Sequence, residues 1–263
     1  MHQVKTLHSR AHPLNTLPGY IKREDELGFG ISGPKLRKLL PLIAALEGTK
    51  VVLKGSAYSN FILGAVQLLT EHQIDYRLLL KKPNTAKIVG NFRYLLRMVP
   101  SYRFLSEGDS IDGYRVIEEG GRSKEALEGA KTLAGSIIRN EEELGIKFSK
   151  VIIDAGTGLT ASGLILGLKE LGRKLEVHVF SMKATKEEIE GEFHFHPLTR
   201  YKAFGSIPQS VLDFVDDFAQ REGIFLDPLY GAKMHLELSL KKELLDDRSL
   251  IIHSGGALSL SGF

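Results

Sequence analysis

The sequence predicts an α/β fold in which parallel β-sheets are covered by helices on both faces. Segments typical of strands alternate with segments that carry apolar residues at helical spacing along the chain. The strand segments are continuous apolar runs rather than alternating ones, and KVIIDAG (150–156) is an example. Several of them end in glycine-containing turns, which is typical of the point where a strand leads into a helix.

The predicted strands are short, with apolar residues at their centres. In chain order they are YIKRED (20–25), KVVLKGS (50–56), YRLLL (76–80), YRFL (102–105), KVIIDAG (150–156), EVHVFSM (176–182) and SLIIHSGG (249–256).

The predicted helices carry an apolar stripe or a closing glycine. They are expected over residues 35–46, 60–72, 86–98, 124–144, 161–172 and 210–223. In the first, Pro41 should kink the helix or mark a restart. In the last, Gly223 should end the helix.

A polar, glycine-containing stretch, SEGDSIDGYRVIEEGGRS (106–123), is the best candidate for a domain boundary. We therefore predict two α/β domains of unequal size. The smaller domain should span residues 46–120, and the larger should combine residues 1–45 with residues 121–263.

Composition excludes several functional classes. The chain has 263 residues and no cysteine, so disulfides, thiol catalysis and cysteine-ligated zinc are excluded. Its formal net charge of +3 is spread along the sequence, so we expect no nucleic-acid partner. No apolar run approaches the ~20 residues that span a bilayer. The first 20 residues lack the apolar core of a secretory signal, so we expect no membrane partner and a cytoplasmic protein.

Three glycine-marked turns follow predicted strands, where parallel sheets bind their ligands. In IIDAGTGLTASG (152–163) the backbone amides and the helix dipole could attract a phosphate. A tight turn without a ligand fits the same residues. In KGSAYSN (54–60), Ser59 and Asn60 are also good helix-capping residues. HSGG (253–256) alone indicates no more than a turn.

The motif FHFHP (193–197) places His194 and His196 on one face of a strand. A metal ion would need a third ligand. The sequence shows none nearby, so it predicts no metal site and ordinary surface or loop histidines.

Lys35 lies in SGPKLRKLL (32–40), at the start of the first predicted helix. Most such lysines are solvated. A reactive lysine needs surroundings that disfavour its ammonium form, and Arg37, Lys38 and the helix N-terminus are close in sequence. From the residues alone, both interpretations stay open.

Taken in order, these motifs resemble those of the pyridoxal 5′-phosphate (PLP) enzymes of fold type II, and specifically of the D-cysteine desulfhydrase / 1-aminocyclopropane-1-carboxylate (ACC) deaminase family. The similarity covers nearly the whole chain. It is carried by YIKREDE, SGPKLRKL, GSAYSN, GN (90–91), IEEGG (117–121), AGTGLT, EGIFLDPLYGAKM (222–234) and HSGG. The resemblance implies a fold like that of the tryptophan synthase β-subunit, with PLP in the cleft between two domains.

The resemblance also assigns roles to residues. Lys35 matches the lysine that holds the cofactor, and Lys38 a second lysine of structural role. Ser59 and Tyr230 match active-site residues. Ser254 matches a hydroxyl that can face the pyridine nitrogen. The implied cofactor-binding residues are Lys35, Asn60, Gly156, Thr157, Gly158, Leu159, Thr160 and Ser254.

The implied activity is β-elimination from a small amino acid such as D-cysteine, which yields an α-keto acid and ammonia, in a homodimer. This chain departs from the family's motifs at Pro34, Tyr58, Phe61 and Gly231, so ACC deamination is a weaker expectation. A catalytically silent or differently specific PLP-binding homologue, or a nucleotide-binding α/β enzyme, remains an alternative.

Overall fold

The computed structural model describes residues 7–28, 31, 33–83, 88–99, 101–104, 106, 111–201 and 205–263. Its strands are β1 (Ala11–Pro13), β2 (Tyr20–Lys22), β3 (Val51–Ser56), β4 (Tyr76–Lys81), β5 (Arg103–Phe104), β6 (Arg115–Glu118), β7 (Lys150–Ala155), β8 (Glu176–Ser181), β9 (His194–Pro197) and β10 (Ser249–Ile252).

The α-helices of the described residues alternate with these strands. They are α1 (Pro34–Ala44), α2 (Asn60–Glu71), α3 (Gly90–Met98), α4 (Lys124–Leu144), α5 (Leu159–Glu170), α6 (Gln209–Glu222) and α7 (Gly231–Leu240). Short 3₁₀ helices cover Glu24–Leu27, Lys186–Glu188, Lys242–Leu244 and Ala257–Gly262.

The strands form two sheets. One has the order β1-β2-β10-β7-β8-β9, in which all neighbours are parallel except the antiparallel pair β1 and β2. The other has the order β5-β4-β3-β6 and is parallel throughout. The predicted parallel α/β architecture is thus confirmed. The smaller sheet is built from strands between residues 51 and 118, which agrees with the domain division at 46–120, although that division stays a prediction.

The six-stranded sheet is buried on both faces, which explains its continuous apolar strands. On β7, Val151 and Ile153 join one apolar cluster, whereas Ile152 between them joins a second cluster on the other face. A strand with two buried faces has no position for a solvated side chain. The four-stranded sheet packs into a third cluster, which also includes Leu39 of α1.

The main differences from the sequence-based expectations lie at elements with weak patterns. Strands β1 and β6 and helix α7 were not expected, and β9 was considered only as the setting of the FHFHP motif. Strand β6 lies inside the polar stretch interpreted as a boundary. Helix α1 runs through Pro41 without a break. The expected first residues of the third helix at Ala86, and the expected strand residue Leu105, lie outside the described residues, as does Ser32 of the lysine motif.

Helix α1 is held against the larger sheet by a buried ion pair and a close helix contact. Arg37 donates to both carboxylate oxygens of Glu24, at 2.7 and 2.8 Å, and both side chains are fully buried. Gly129 of α4 faces the carbonyl oxygen of Arg37, and a Cβ there would lie only 2.1 Å from it. These contacts fix the first turn of α1, which carries Lys35.

None of the described helices combines the length and the apolar character that crossing a lipid bilayer requires.

Candidate active site

A cavity of about 600 Å³ opens where strand ends of both sheets meet. Its walls come from the first turn of α1, the β3–α2 turn, the β7–α5 loop and the segment after β10. Strands β7 and β10 are neighbours in the sheet, so their carboxyl ends lie side by side. This is where parallel α/β sheets place their ligands.

The β7–α5 loop ends in a left-handed residue that begins a helix. Gly158 is the N-cap of α5 with φ of +79°, and no side chain among the described residues caps the helix. The amides of the first turn have no partner within the helix, so they can donate to an anion. Gly156 lies so close to Tyr230 that a Cβ there would be 3.1 Å from the phenolic oxygen. We call residues 156–160 the glycine cradle, because glycine gives the left-handed conformation at position 158 and fits the narrow space beside Tyr230 at position 156.

Arg122 holds this loop from outside the cavity. Its Nη2 donates to the carbonyl oxygen of Thr157 at 2.9 Å and to that of Glu188 at 3.0 Å. It therefore joins the loop to the segment between β8 and β9. No local sequence pattern indicates the role of Arg122, because its two acceptors lie 35 and 66 residues away.

Lys35 is the second residue of α1, and its half-buried side chain lines the cavity. Its Nζ lies 3.5 Å from the carbonyl oxygen of Ser254. Lys38, one turn later, also lines the cavity but is only 6% exposed. Burial, followed by the charge of Lys35, lowers the pKa of Lys38 to about 7. Two amines thus share one wall, and Lys35 is the more accessible.

Asp154 and Ser254 meet at the ends of β7 and β10. The Ser254 hydroxyl donates to Oδ1 of Asp154 in a short hydrogen bond. Desolvation raises the pKa of Asp154, and it outweighs the hydrogen bond from this hydroxyl and the charge of Lys35, which both lower that pKa. The sequence led us to expect that the Ser254 hydroxyl is free to face a ring nitrogen. In the structure that hydroxyl instead donates its hydrogen bond to Asp154. A role of Ser254 at the nitrogen stays a prediction.

Ser59 and Asn60 begin helix α2 at the wall formed by the smaller sheet. The Ser59 oxygen accepts from the amides of Phe61 and Ile62, at 3.2 and 3.3 Å, so the capping interpretation holds. Capping uses the oxygen as an acceptor, and the hydroxyl proton can still be donated into the cavity. Asn91 donates to Oδ1 of Asn60 at 2.8 Å and orients that side chain.

Tyr230 precedes helix α7 and faces the cavity beside buried acidic groups. Burial raises its pKa far above the ordinary value, and the charges of Asp227, Asp154 and Glu119 raise it further. The phenol therefore keeps its proton at neutral pH and acts as a donor rather than as a base. Asp227 is itself 2% exposed, and burial raises its pKa to about 6.

The structure brings nearly all of the sequence-predicted site residues to one cavity. The residues that line it are Lys35, Ser59, Asn60, Gly156, Thr157, Gly158, Thr160, Tyr230 and Ser254. Leu159 is the exception, because its side chain is buried in the apolar cluster around the smaller sheet. Only the backbone of Leu159, in the first turn of α5, could take part in binding.

Three of the four departures from the family's motifs also line the cavity. Pro34, Tyr58 and Phe61 present apolar or aromatic surface to it. Gly231 is the first residue of α7, and a Cβ there would meet no atom of the described residues within 4 Å. The position therefore has room for a side chain.

Comparison with known proteins supports the resemblance of this chain to PLP enzymes. No protein-family model matches the chain. It is 29% identical to a D-cysteine desulfhydrase of Salmonella paratyphi B over 93% of this chain and 88% of that protein. It is 27% identical to a 1-aminocyclopropane-1-carboxylate deaminase of Cyberlindnera saturnus over 93% of this chain and 87% of that protein.

Solved structures share the fold. The crystal structure of an ACC deaminase homologue matches 99% of this chain and 94% of that one, with a TM-score of 0.78 and 24% identity. A pyridoxal 5′-phosphate-dependent aspartate racemase matches 95% of this chain and 90% of that one, with a TM-score of 0.71 and 12% identity. The fold is therefore that of the fold type II PLP enzymes. The names of the relatives confirm the resemblance to the D-cysteine desulfhydrase / ACC deaminase family.

Proposed function

We propose that the protein is a PLP-dependent lyase that releases ammonia and an α-keto acid from a small amino acid, with a D-cysteine-like substrate first among the candidates. The observation that carries this proposal is the position of Lys35. Its half-buried amine lies in the same cavity as a glycine cradle at a helix N-terminus. The proposed homodimer rests on the family resemblance alone, and the proposed cytoplasmic location rests on the expectation from the sequence.

The residues of the cavity fit PLP. The cofactor needs an anion site for its phosphate and a primary amine for its aldehyde. The amides that follow Gly156 and Gly158, with the hydroxyls of Thr157 and Thr160, supply the first. Lys35 supplies the second. The cavity volume of about 600 Å³ also lies within the range of small-molecule and cofactor sites.

When bound, PLP supplies an electron sink for the bonds at the substrate's α-carbon. The chain supplies the proton transfers and the orientation. Lys35 Nζ would hold the cofactor before the substrate arrives, and the freed amine would then be the base for the α-proton. Tyr230 and Ser59 can each donate a proton to the substrate's carboxylate or leaving group. The charge of Lys35 lowers the pKa of Asp154 and of Asp227, against the burial that raises both.

Changing Gly158 to alanine should raise the dissociation constant of PLP at least ~10-fold. The left-handed φ costs alanine about 1–2 kcal/mol, and the new Cβ would lie 2.7 Å from Ile189 Cγ1, so the cradle must move. Equilibrium titration of the apoenzyme with PLP measures the effect. Gly172→Ala is the matched control, because its φ of +65° is similar but its Cβ meets no described atom within 4 Å. Equal losses in the two variants would contradict the assignment.

The substrate class should respond to the residue at position 231. In the family, desulfhydrases carry threonine and ACC deaminases glutamate directly after the active-site tyrosine. Because the structure has room there, Gly231→Thr should fold normally and raise kcat/KM for D-cysteine, by about tenfold for one added hydrogen bond in the transition state. Steady-state assays of pyruvate release measure it. Gly231→Ala is the control, since it adds the Cβ without the hydroxyl. An equal change in both variants would refute a role for the hydroxyl.

One experiment tests the proposed function itself. The purified protein should show the visible absorption of a lysine-bound PLP, and it should release ammonia and an α-keto acid when screened with small D- and L-amino acids and ACC. Visible absorption without turnover would point to the silent homologue. No cofactor absorption after addition of PLP would refute the proposal and favour the nucleotide-binding alternative.

A further inference from the structure

A cluster of histidines lies at the edge of the six-stranded sheet, away from the cavity. Strands β8 and β9 are parallel, with His178 opposite His194 and Phe180 opposite His196. Residues two apart on a strand share a face, so Glu176 and these histidines project from the same side. None of them lines the cavity. The FHFHP motif pairs His194 with His196 but does not indicate their neighbours on β8, because the register of two strands cannot be derived from one motif.

We propose that Glu176, His178 and His194 form a binding site for one divalent transition-metal ion of the Zn²⁺ type, with solvent completing the coordination. Their ligand atoms all lie within 4.8 Å of one another. Glu176 Oε1 is 2.6 Å from His178 Nε2 and 3.5 Å from His194 Nε2. Zinc bonds of about 2.0–2.2 Å in a tetrahedral arrangement place ligand atoms roughly 3.4 Å apart. Shifts of about 1 Å in the side chains would therefore admit the ion.

The second nitrogen of His178 is already held in the way that metal-binding histidines require. His178 Nδ1 is 2.9 Å from His196 Nε2. When Nδ1 carries the proton and donates it to His196, the lone pair of Nε2 is left for a metal. Such outer hydrogen bonds fix the tautomer and orientation of a ligand histidine. We therefore assign His196 as a positioning residue rather than as a ligand.

The charges near the site act in both directions. The positive charge of Lys150 opposes the binding of a cation here. Its Nζ lies 3.7 Å from Oδ2 of Asp246, and that carboxylate partly offsets the charge. The Glu176 carboxylate gives the site its negative charge.

The site is accessible and has a structural consequence. The side chains of His194 and Glu176 are 61% and 44% exposed, so an ion can enter from solvent. A metal would join the edge strand β9 to β8 at His194, where the segment 182–193 leads into β9. Arg122 joins that segment to the glycine cradle, because it donates to the carbonyl oxygens of both Glu188 and Thr157. We assign the ion to stability rather than to the reaction.

Titration of the chelator-treated holoenzyme with Zn²⁺ alone tests the proposal. We expect one tightly bound ion per chain by elemental analysis and a rise in Tm of about 5 °C at 100-fold excess over the dissociation constant. His194→Ala and Glu176→Gln should each weaken binding at least ~10-fold. His72→Ala, which removes an exposed histidine elsewhere, should leave binding unchanged.

His196→Gln separates a ligand from a positioning residue. It keeps a hydrogen-bond acceptor, so it should weaken binding less than His196→Ala, which should cost about 10-fold. The two ligand variants change exposed side chains, so they should fold even if changes at buried His178 do not. The proposal is wrong if Zn²⁺ does not bind saturably, or if His194→Ala and Glu176→Gln bind Zn²⁺ as tightly as His72→Ala does. In that case Glu176 and His178 form only a hydrogen bond.

Discussion

Replacing Lys35 with alanine should lower turnover of the best substrate by about 10³-fold or more. The variant loses both the amine that would hold the cofactor and the base at the substrate's α-carbon, and a positioned base alone contributes about 10²–10⁴. The neighbouring Lys38 should not compensate, because its side chain is only 6% exposed. Steady-state release of the α-keto acid measures the loss.

Two further variants make this result specific. Lys35→Arg keeps the positive charge and most of the volume but cannot serve as a base at neutral pH, so it should be as inactive as Lys35→Ala. Lys124→Ala removes an exposed lysine from the first turn of α4 and should retain full activity. Substantial turnover in Lys35→Arg would show that the charge, and not the amine, is what the reaction needs.

Replacing Glu24 with glutamine should lower the free energy of unfolding by about 3–5 kcal/mol. The change leaves Arg37 fully buried without its counter-charge, which is the costly way to break a buried ion pair. Lys22 would also lose a carboxylate oxygen 3.7 Å from its Nζ. Urea denaturation followed by circular dichroism measures the change.

A surface pair provides the control. Arg10 and Glu26 make the same kind of forked contact, but their side chains are 61% and 36% exposed. Glu26→Gln should therefore cost no more than about 1 kcal/mol. Similar small losses in both variants would show that the buried pair does not hold helix α1 in place.

The buried pair should also make stability depend on acid. Burial alone would raise the pKa of Glu24, but the hydrogen bonds and charge of Arg37, together with Lys22, lower it below its ordinary value. A carboxyl whose pKa is lower in the folded state stabilises the fold above its unfolded pKa of about 4.3. That stabilisation is lost as the pH falls through the lower, folded value. Glu24→Gln should lose this part of the acid dependence.

The elements that the sequence predicted well are those with local signals at both ends. Helix α4 spans residues 124–144 as expected, because Ser123 caps its first turn and Gly145 ends it in the left-handed conformation. The β7–α5 cradle was predicted for the same reason. An apolar strand, a glycine turn and a helix start follow one another in the sequence.

The features that it missed depend on contacts between distant segments. Strand β1 is three residues long, and only its pairing with β2 makes it a strand. The Ser254–Asp154 hydrogen bond joins residues 100 positions apart, and it redirects a proton that the motif alone left free. The histidine cluster likewise required the register of β8 against β9. Local pattern indicates where a residue lies on its element, but not which side chain it meets across the sheet.

Borohydride reduction followed by peptide mapping tests the central claim most directly. Reduction makes the bond between PLP and its lysine permanent, and mass spectrometry then identifies the modified residue. The structure predicts a pyridoxyl label on the peptide that contains Lys35, at about one per chain, and no label in Lys35→Ala. A label on Lys38 would contradict the assignment of Lys35 as the cofactor-binding lysine. The absence of a label on any lysine of a protein saturated with PLP would contradict the assignment of this cavity as the active site.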